Sequence, residues 1–494
     1  MNEAKSSLIG GFISMGASSV FRIVFGFLNV MIAARVIPEE DLGRYFLIIS
    51  IAVFTEMIFN VGLNISATRF VSGTDDDDER ARLVGTFLFV RIFLIALLVP
   101  VVYLARPLLE LIFDADLIAT LFIFIPIVAL ARLSFGTLSA ILQGYHYYNQ
   151  LAVANTLQGG LSLLFTLVFV VALDMGVDGY LLATIVSIGL ATGIIFIMLP
   201  FRNIPRFDKK LARKMLRFGL PLQGNDLLTQ VFVRLDVWVL GALVGPLDIA
   251  YLQVSARIPS YANEVYSTGL NSIYFPRMSA LFSRDEGDEA AAFLNHLLRL
   301  LGFASMLAAL GLTIFQTEIT TLIFSDRYLP AAPAMGLIMI AAGFALASEV
   351  LEVALIAAGH PSYVIANNTV MTGVTVGTNL ALIPMFGFMG AVFARLISNI
   401  VVLPVVLLGI YREKIKADIM IFFRSAFVLG ICLVMYYGLG WQENYILKSL
   451  LLVLFIALSF LFSVVSTRDL YTLTDYVATV RERRREAKVV SSAG

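Results

Sequence analysis

The feature that most limits what this chain can fold into is a succession of about fourteen apolar runs. Each is close to the roughly 20 residues that an α-helix needs to cross a bilayer. They fall at roughly 8–36, 42–70, 82–105, 117–142, 150–173, 178–200, 217–244, 249–275, 291–315, 331–358, 362–385, 388–410, 418–440 and 445–466. The connections are short and leave no room for a sizeable soluble domain. Hydrophobic residues make up 59% of the 494 and charged residues 14%, against about 45–50% and about 25% in an average soluble domain. The reading is an all-α polytopic membrane protein.

Several function classes drop out on composition. The formal net charge is zero, so no basic excess points to a nucleic-acid partner. Cys432 is the single cysteine, so the chain has no internal disulfide and no thiolate metal cluster. His146, His296 and His360 are far apart and lack ligand spacing. No nucleophile–base signature, phosphate-binding glycine loop or metal motif is present, so neither catalysis nor a cofactor is expected. The N-terminus reads as a short polar lead and an apolar helix without a small-residue cleavage site, hence a retained first span.

Basic loop residues set the orientation. The loop after the sixth run holds Arg202, Arg206, Lys209, Lys210, Arg213, Lys214 and Arg217, and the loop after the twelfth holds Arg412, Lys414 and Lys416. The tail adds Arg481, Arg483, Arg484, Arg485 and Lys488. An even span count puts all three on one side, the cytoplasm, together with both termini. The tail also carries Leu470, Leu473, Val477 and Val480 on one helical face. An amphipathic helix on anionic headgroups and an ordinary solvated tail both fit it.

The chain repeats itself. Gly62-Leu63-Asn64 matches Gly269-Leu270-Asn271, and at the same offset Asp41 falls on Asp248. Further on, Gly176-Val177-Asp178-Gly179 corresponds to Gly387-Phe388-Met389-Gly390. The unit is six spans, so two halves of the same topology are expected at 1–205 and 206–412. Two additional spans at 413–467 and a basic cytoplasmic tail at 468–494 lie outside the repeat.

Polar residues at helical spacing mark the first two helices of each half. The first carries Arg22 and Asn29. The second carries Glu56, Asn60, Asn64 and Thr68, each four residues apart. The seventh carries Asp226, Gln230 and Arg234, with Asp236 close by, and the eighth carries Arg257, Tyr261, Glu264 and Asn271 on one face. A charge at mid-membrane costs about 2.5–3.5 kcal/mol on the insertion scale, so such residues normally face protein or a water-filled cavity. An internal structural salt bridge is the plainer account of these stripes; a transport cavity is the sharper one. Several arginines with interspersed acids suit an anion, because guanidinium forks match phosphate oxygens. The substrate-binding candidates are therefore Arg22, Asn29, Asn60, Asn64, Arg234, Arg257, Tyr261 and Asn271. Glu56, Asp236 and Glu264 are the candidates for coupling to H+ or Na+. Glu349, Glu352, Arg91, Arg132 and Arg395 carry less weight, since structural pairing or snorkelling accounts for them.

With its fourteen spans in two halves, the segment AARVIPEEDLGRYFLIIS (33–50) and GLNISATRFVSG (62–73), the chain resembles the polysaccharide-export (Wzx-type O-unit flippase) branch of the MOP flippase superfamily. That resemblance implies alternating-access translocation of a polyprenyl-diphosphate-linked oligosaccharide across the plasma (inner) membrane. The expected partners are that glycan, membrane lipids and the polysaccharide polymerase and export machinery. The family's cavity arginines match Arg22 and Arg257 by helix and depth. Lipid II flippases tend to have an arginine midway along the second span, where this chain has Glu56. A lipid II flippase, a cation-coupled drug exporter of the MATE type, and a membrane-embedded glycan polymerase or ligase are the alternatives. The last usually carries a large external loop, which this chain lacks.

Overall fold

The computed structural model describes residues 2–74, 76–113, 121–199, 207–270 and 274–465. Asn271 and the tail from 468 onward, both singled out in the sequence, lie outside them. Eleven helices among the described residues are long and apolar enough to cross a membrane. They include α1 (Asn2–Val36), α2 (Glu39–Asn60), α4 (Asp77–Ile112), α5 (Phe124–Gly144), α6 (Tyr148–Thr166, prolonged by a π-helical turn to Ala172) and α7 (Gly176–Met198). The rest are α12 (Gly287–Ile314), α14 (Ala332–Ala357), α15 (Ser362–Phe386), α16 (Phe388–Arg412) and α17 (Met420–Gly438).

Three expected spans differ from these, each for its own reason. α8 (Lys209–Leu243) is long enough, but Gln223, Asp226, Gln230, Arg234 and Asp236 dilute its hydropathy. The run at 249–275 is not one helix. It forms α9 (Pro246–Ser255), α10 (Arg257–Gly269) and α11 (Phe275–Ser283). Pro259 explains the first break, because it lacks the N–H that would bond the Ser255 carbonyl and its ring crowds that oxygen. The last apolar helix, α18 (Tyr445–Leu461), has 17 residues.

Local sequence sets many helix starts. Asp76, Asp208 and Asn444 accept backbone N–H bonds as N-caps of α4, α8 and α18. Glu39, Glu40 and Asp41 occupy the first turn of α2, where the helix dipole favours negative charge.

The second expected span, 42–70, is also interrupted. α2 stops at Asn60, Val61 and Gly62 take left-handed backbone with φ of 52° and 70°, and α3 (Leu63–Ser72) resumes. Glycine adopts that conformation freely, whereas a β-branched valine is strained in it. Gly62 also lies backbone to backbone against Gly219 of α8, and a Cβ on either would overlap the other's carbonyl.

The chain divides into two compact units. The first comprises Met1–Arg257, Thr320–Ala331 and Val376–Ala391, and the second Ile258–Ile319, Ala332–Thr375 and Val392–Gly494. Within the first, α2 packs on α5, α8 and α9, α3 on α5 and α8, and α1 on α6. Leu63, Ala67, Val71, Phe87, Ile141, Leu142 and Met215 form a fully apolar core around α3. The later segments are tied in by specific bonds: Arg327 donates to the Arg35 carbonyl at 2.7 Å, and Asp248 accepts the Phe388 N–H at 2.7 Å. In the second unit α14 and α17 pack on α12, and Lys448 of α18, 3% exposed, pairs with Glu318 at 2.5 Å.

The glycine contact is open to test. Gly62→Ala should cost at least about 2 kcal/mol, from the left-handed backbone and the clash. Gly224→Ala, where a Cβ meets nothing within 4 Å, should change stability by less than about 1 kcal/mol. Thermal unfolding of the purified protein in detergent compares the two; equal midpoints would remove the argued role of Gly62.

Candidate functional site

Breaking a helix within a membrane span frees backbone groups that lipid cannot satisfy. In the first unit, side chains from two other helices take them up. Gln223 of α8, 3% exposed, donates Nε2 to the Met57 carbonyl at 3.0 Å. Its Oε1 accepts the Gly62 N–H at 3.0 Å and Asn60 Nδ2 at 3.1 Å. Arg91 of α4, 1% exposed, donates Nη1 to the Phe59 carbonyl at 3.1 Å. Its Nη2 reaches Asn60 Oδ1 at 2.9 Å and Asn64 Oδ1 at 2.7 Å. A buried guanidinium is thus held by neutral oxygens at the C-terminal end of α2, where the helix dipole is negative. Asn60 and Asn64, read from the sequence as substrate ligands, are here the acceptors that hold Arg91.

One turn before Asn60, Glu56 accepts Arg132 Nε of α5 at 2.8 Å. Glu56 also lies within electrostatic reach of Arg91 and of Arg234 on α8. Arg234 in turn feels Arg132 and Asp236 and donates Nε to Gln230 at 3.3 Å. Asp236 is buried and accepts the Val237 N–H at 2.7 Å. Arg257, the first residue of α10 and the last of this stretch of the unit, stacks its guanidinium 5.0 Å from the centre of the Phe46 ring. Its Nε is buried and makes no hydrogen bond. Tyr45 joins the group, within reach of Arg257 and Arg132 and bonded to Thr184 of α7 at 3.2 Å. The result is a group of Arg132 and Arg234 around Glu56 and Asp236, drawn from α2, α5 and α8, with Arg257 of α10 joined to Arg132 through Tyr45. Phosphate oxygens suit such a cluster, because the guanidinium forks retain donors that one carboxylate does not use.

The remaining candidates sit as follows. Arg22 is exposed on α1. Asn29 is buried and donates to Ser162 of α6 at 2.7 Å, its Oδ1 making no hydrogen bond. The unit boundary falls just after Arg257, so Tyr261 and Glu264 belong to the second unit, both partly exposed. The sequence does not single out Gln223, and Arg91 and Arg132, which it assigns to structural pairing, bond Asn60, Asn64 and Glu56. The signal for the arginines was their isolation: Arg91 interrupts an otherwise apolar LVGTFLFVRIFLIALLV (83–99). Among the described residues, no group of three or more histidine, cysteine or carboxylate side chains is placed to hold a metal ion.

A family model described as "Polysaccharide biosynthesis protein" matches residues 32–333, more than half of the chain. The chain belongs to that family. A curated relative from Klebsiella pneumoniae, described as an uncharacterized membrane protein in the cps region, is 21% identical over 334 residues. That match spans 66% of each protein, just under two thirds of the relative's length. Among solved structures, the lipid II flippase MurJ in an inward closed conformation superposes with a TM-score of 0.75 at 16% identity, over 93% of this chain and all of that one. An inward-facing MATE-family multidrug transporter of the MOP superfamily gives 0.64 at 15% identity, over 80% of this chain and 94% of that one. The protein therefore shares the fold of these two solved structures.

The Glu56 pairing generates an expectation. Glu56→Gln leaves Arg132 and Arg234 facing each other with less compensation, so its unfolding midpoint should fall. Adding Arg132→Gln should recover part of the loss, the sign of direct coupling. Purely additive midpoints would show that the pair contributes nothing.

Proposed function

We propose that the protein is a flippase carrying a polyprenyl-diphosphate-linked oligosaccharide from the cytoplasmic to the outer leaflet of the plasma membrane by alternating access. The observation that carries the reading is the arginine cluster of the first unit, above all Arg257 with its unbonded Nε. A diphosphate brings oxygens that accept from Arg257 and Arg234, and Arg22 completes the grip from α1. Glu56 and Asp236 keep the empty cluster compensated, and the polyprenyl chain stays in the bilayer. Family membership supports a polysaccharide substrate. The likeness to MurJ favours a second reading, transport of lipid II; Glu56, where lipid II flippases tend to carry arginine, argues against it.

A charge-assisted hydrogen bond is worth about 1.5–3 kcal/mol, so losing one arginine should weaken binding by about tenfold to a hundredfold. Arg22→Ala and Arg257→Ala should therefore lose most glycan export per membrane-inserted molecule, and Arg257→Lys, which keeps the charge without the fork, should lose less. Normal export in both alanine variants would sink the clamp. Deleting the gene should leave lipid-linked polysaccharide units inside the cell; accumulation of lipid II instead would favour the second reading.

The layout that goes with this function is fourteen spans in two parallel six-helix repeats, with both termini cytoplasmic. Reporter fusions placed after residues 205 and 415 should then report the cytoplasmic side, and a fusion after 246 the outer side. Opposite sides for the first two would refute the parallel repeat.

A further inference from the structure

We propose that a cavity lined by α10, α11 and α12 in the second unit binds one phospholipid with a zwitterionic ethanolamine headgroup. Its volume is about 700 Å³, within the roughly 300–1,000 Å³ of small-molecule sites. Much of the lining is apolar: Leu297, Leu300 and Leu301 of α12, with Val265, Gly269 and Leu270 of α10. Tyr274 also lines it, fixed by the bond from its hydroxyl to the Val350 carbonyl at 3.1 Å. A Cβ on Gly269 would meet no atom within 4 Å, so this glycine borders open space. On α12, Glu289, Phe293, His296 and Leu300 fall on one helical face. From Glu289 to Leu301 that face rises about 18 Å at about 1.5 Å per residue. One leaflet is about 15 Å deep, half of the roughly 30 Å hydrocarbon core. The cavity thus has the depth of one acyl chain, polar next to the turn at 284–286 and apolar beyond it.

The polar end carries both signs of charge, and this selects the headgroup. Arg277 of α11 lies 4.4 Å from the centre of the Phe293 ring, a stacking that orients its guanidinium. Glu289 stands in the first turn of α12. Both line the cavity, and among the described residues neither makes an ion pair. A guanidinium fork suits the lipid phosphate, and a carboxylate accepts from a primary ammonium. A purely anionic headgroup would meet Glu289 and, in the adjoining hollow, Asp285 and Glu286, which repel it. A choline headgroup offers the phosphate but has no N–H to donate to Glu289. The diphosphate of a glycan carrier is negative throughout, so this mixed end disfavours it as well.

A lipid seated here ties α10 and α11 to α12 through its chain and its headgroup together. Neither Arg277 nor Gly269 belongs to the proposed substrate grip, so binding of this lipid stands apart from the flippase reading.

Native mass spectrometry of the delipidated full-length protein in detergent measures the apparent Kd for dioleoyl phosphatidylethanolamine. The glycerol and choline lipids with the same chains are titrated in parallel. No glycan is present, so failure here leaves the substrate reading untouched. The ethanolamine lipid should bind tightest. Arg277→Gln removes a charge-assisted bond to the phosphate and should weaken that binding by at least about tenfold. Glu289→Gln should erase the preference over the glycerol lipid. Gly269→Leu fills the cavity and should abolish tight binding of all three lipids. Gly430→Leu, at another glycine whose Cβ meets nothing within 4 Å, should leave binding unchanged. Should Gly269→Leu fail to fold, Ala292→Phe fills the same space from an exposed position on α12. Three results would each overturn the proposal: equal or tighter binding of the glycerol lipid to the unmodified protein, displacement of the ethanolamine lipid by an equal concentration of a polyprenyl phosphate, or unchanged affinity in the cavity-filling variant.

Discussion

The interruption of α2 at Val61 and Gly62 is the constraint on which the first unit depends. A bilayer has no water to bond the freed carbonyls and N–H groups, so the break requires polar side chains brought from elsewhere. Gln223 and Arg91 answer that requirement with complementary chemistry. An amide can donate and accept at once, so Gln223 serves both the Met57 carbonyl and the Gly62 N–H. A guanidinium only donates, and it finds three oxygens at the end of α2. Those bonds fix α4 and α8 against α2, while the Gly62–Gly219 approach lets the α2–α3 and α8 backbones meet.

That arrangement determines where charge can be stored. Arg91 is enclosed and fully engaged by neutral acceptors, apart from a buried Nε, so its place is structural. Arg132 and Arg234 lie around Glu56 and Asp236, and Arg257 lies against Phe46 and Tyr45. The difference between Arg91 and the arginines proposed to bind substrate is thus the supply of oxygens around each. The same logic, with signs reversed, separates Glu56 from Glu349 and Glu352 of α14. Glu56 has an arginine at 2.8 Å, while Glu349 and Glu352 accept from the Ser267 hydroxyl and the Asn367 amide.

The polar stripes were legible as stripes, because a helical repeat of four is a property of consecutive residues. Their partners were not. Asn60 and Asn64 read as substrate ligands until Arg91, from another helix, is seen to occupy both. Arg257, Tyr261 and Glu264 read as one face and do share α10, but the break at Ala256 parts them from α9, which the hydropathy had joined to them in one span. Pro259 was the visible warning in that stretch. The left-handed step at Val61 had only Gly62 to announce it.

The sequence by itself determined that the chain is a polytopic helical membrane protein and that polar residues recur at set places along its spans. Hydropathy and helical periodicity are sums over neighbouring residues, so they survive without knowledge of the fold. Tertiary structure alone decided which spans are broken, which arginine is enclosed and which carboxylate meets an arginine. Those properties arise from residues distant in the chain, such as Gln223 on Gly62 or Asn367 on Glu352, whose meeting no local pattern encodes.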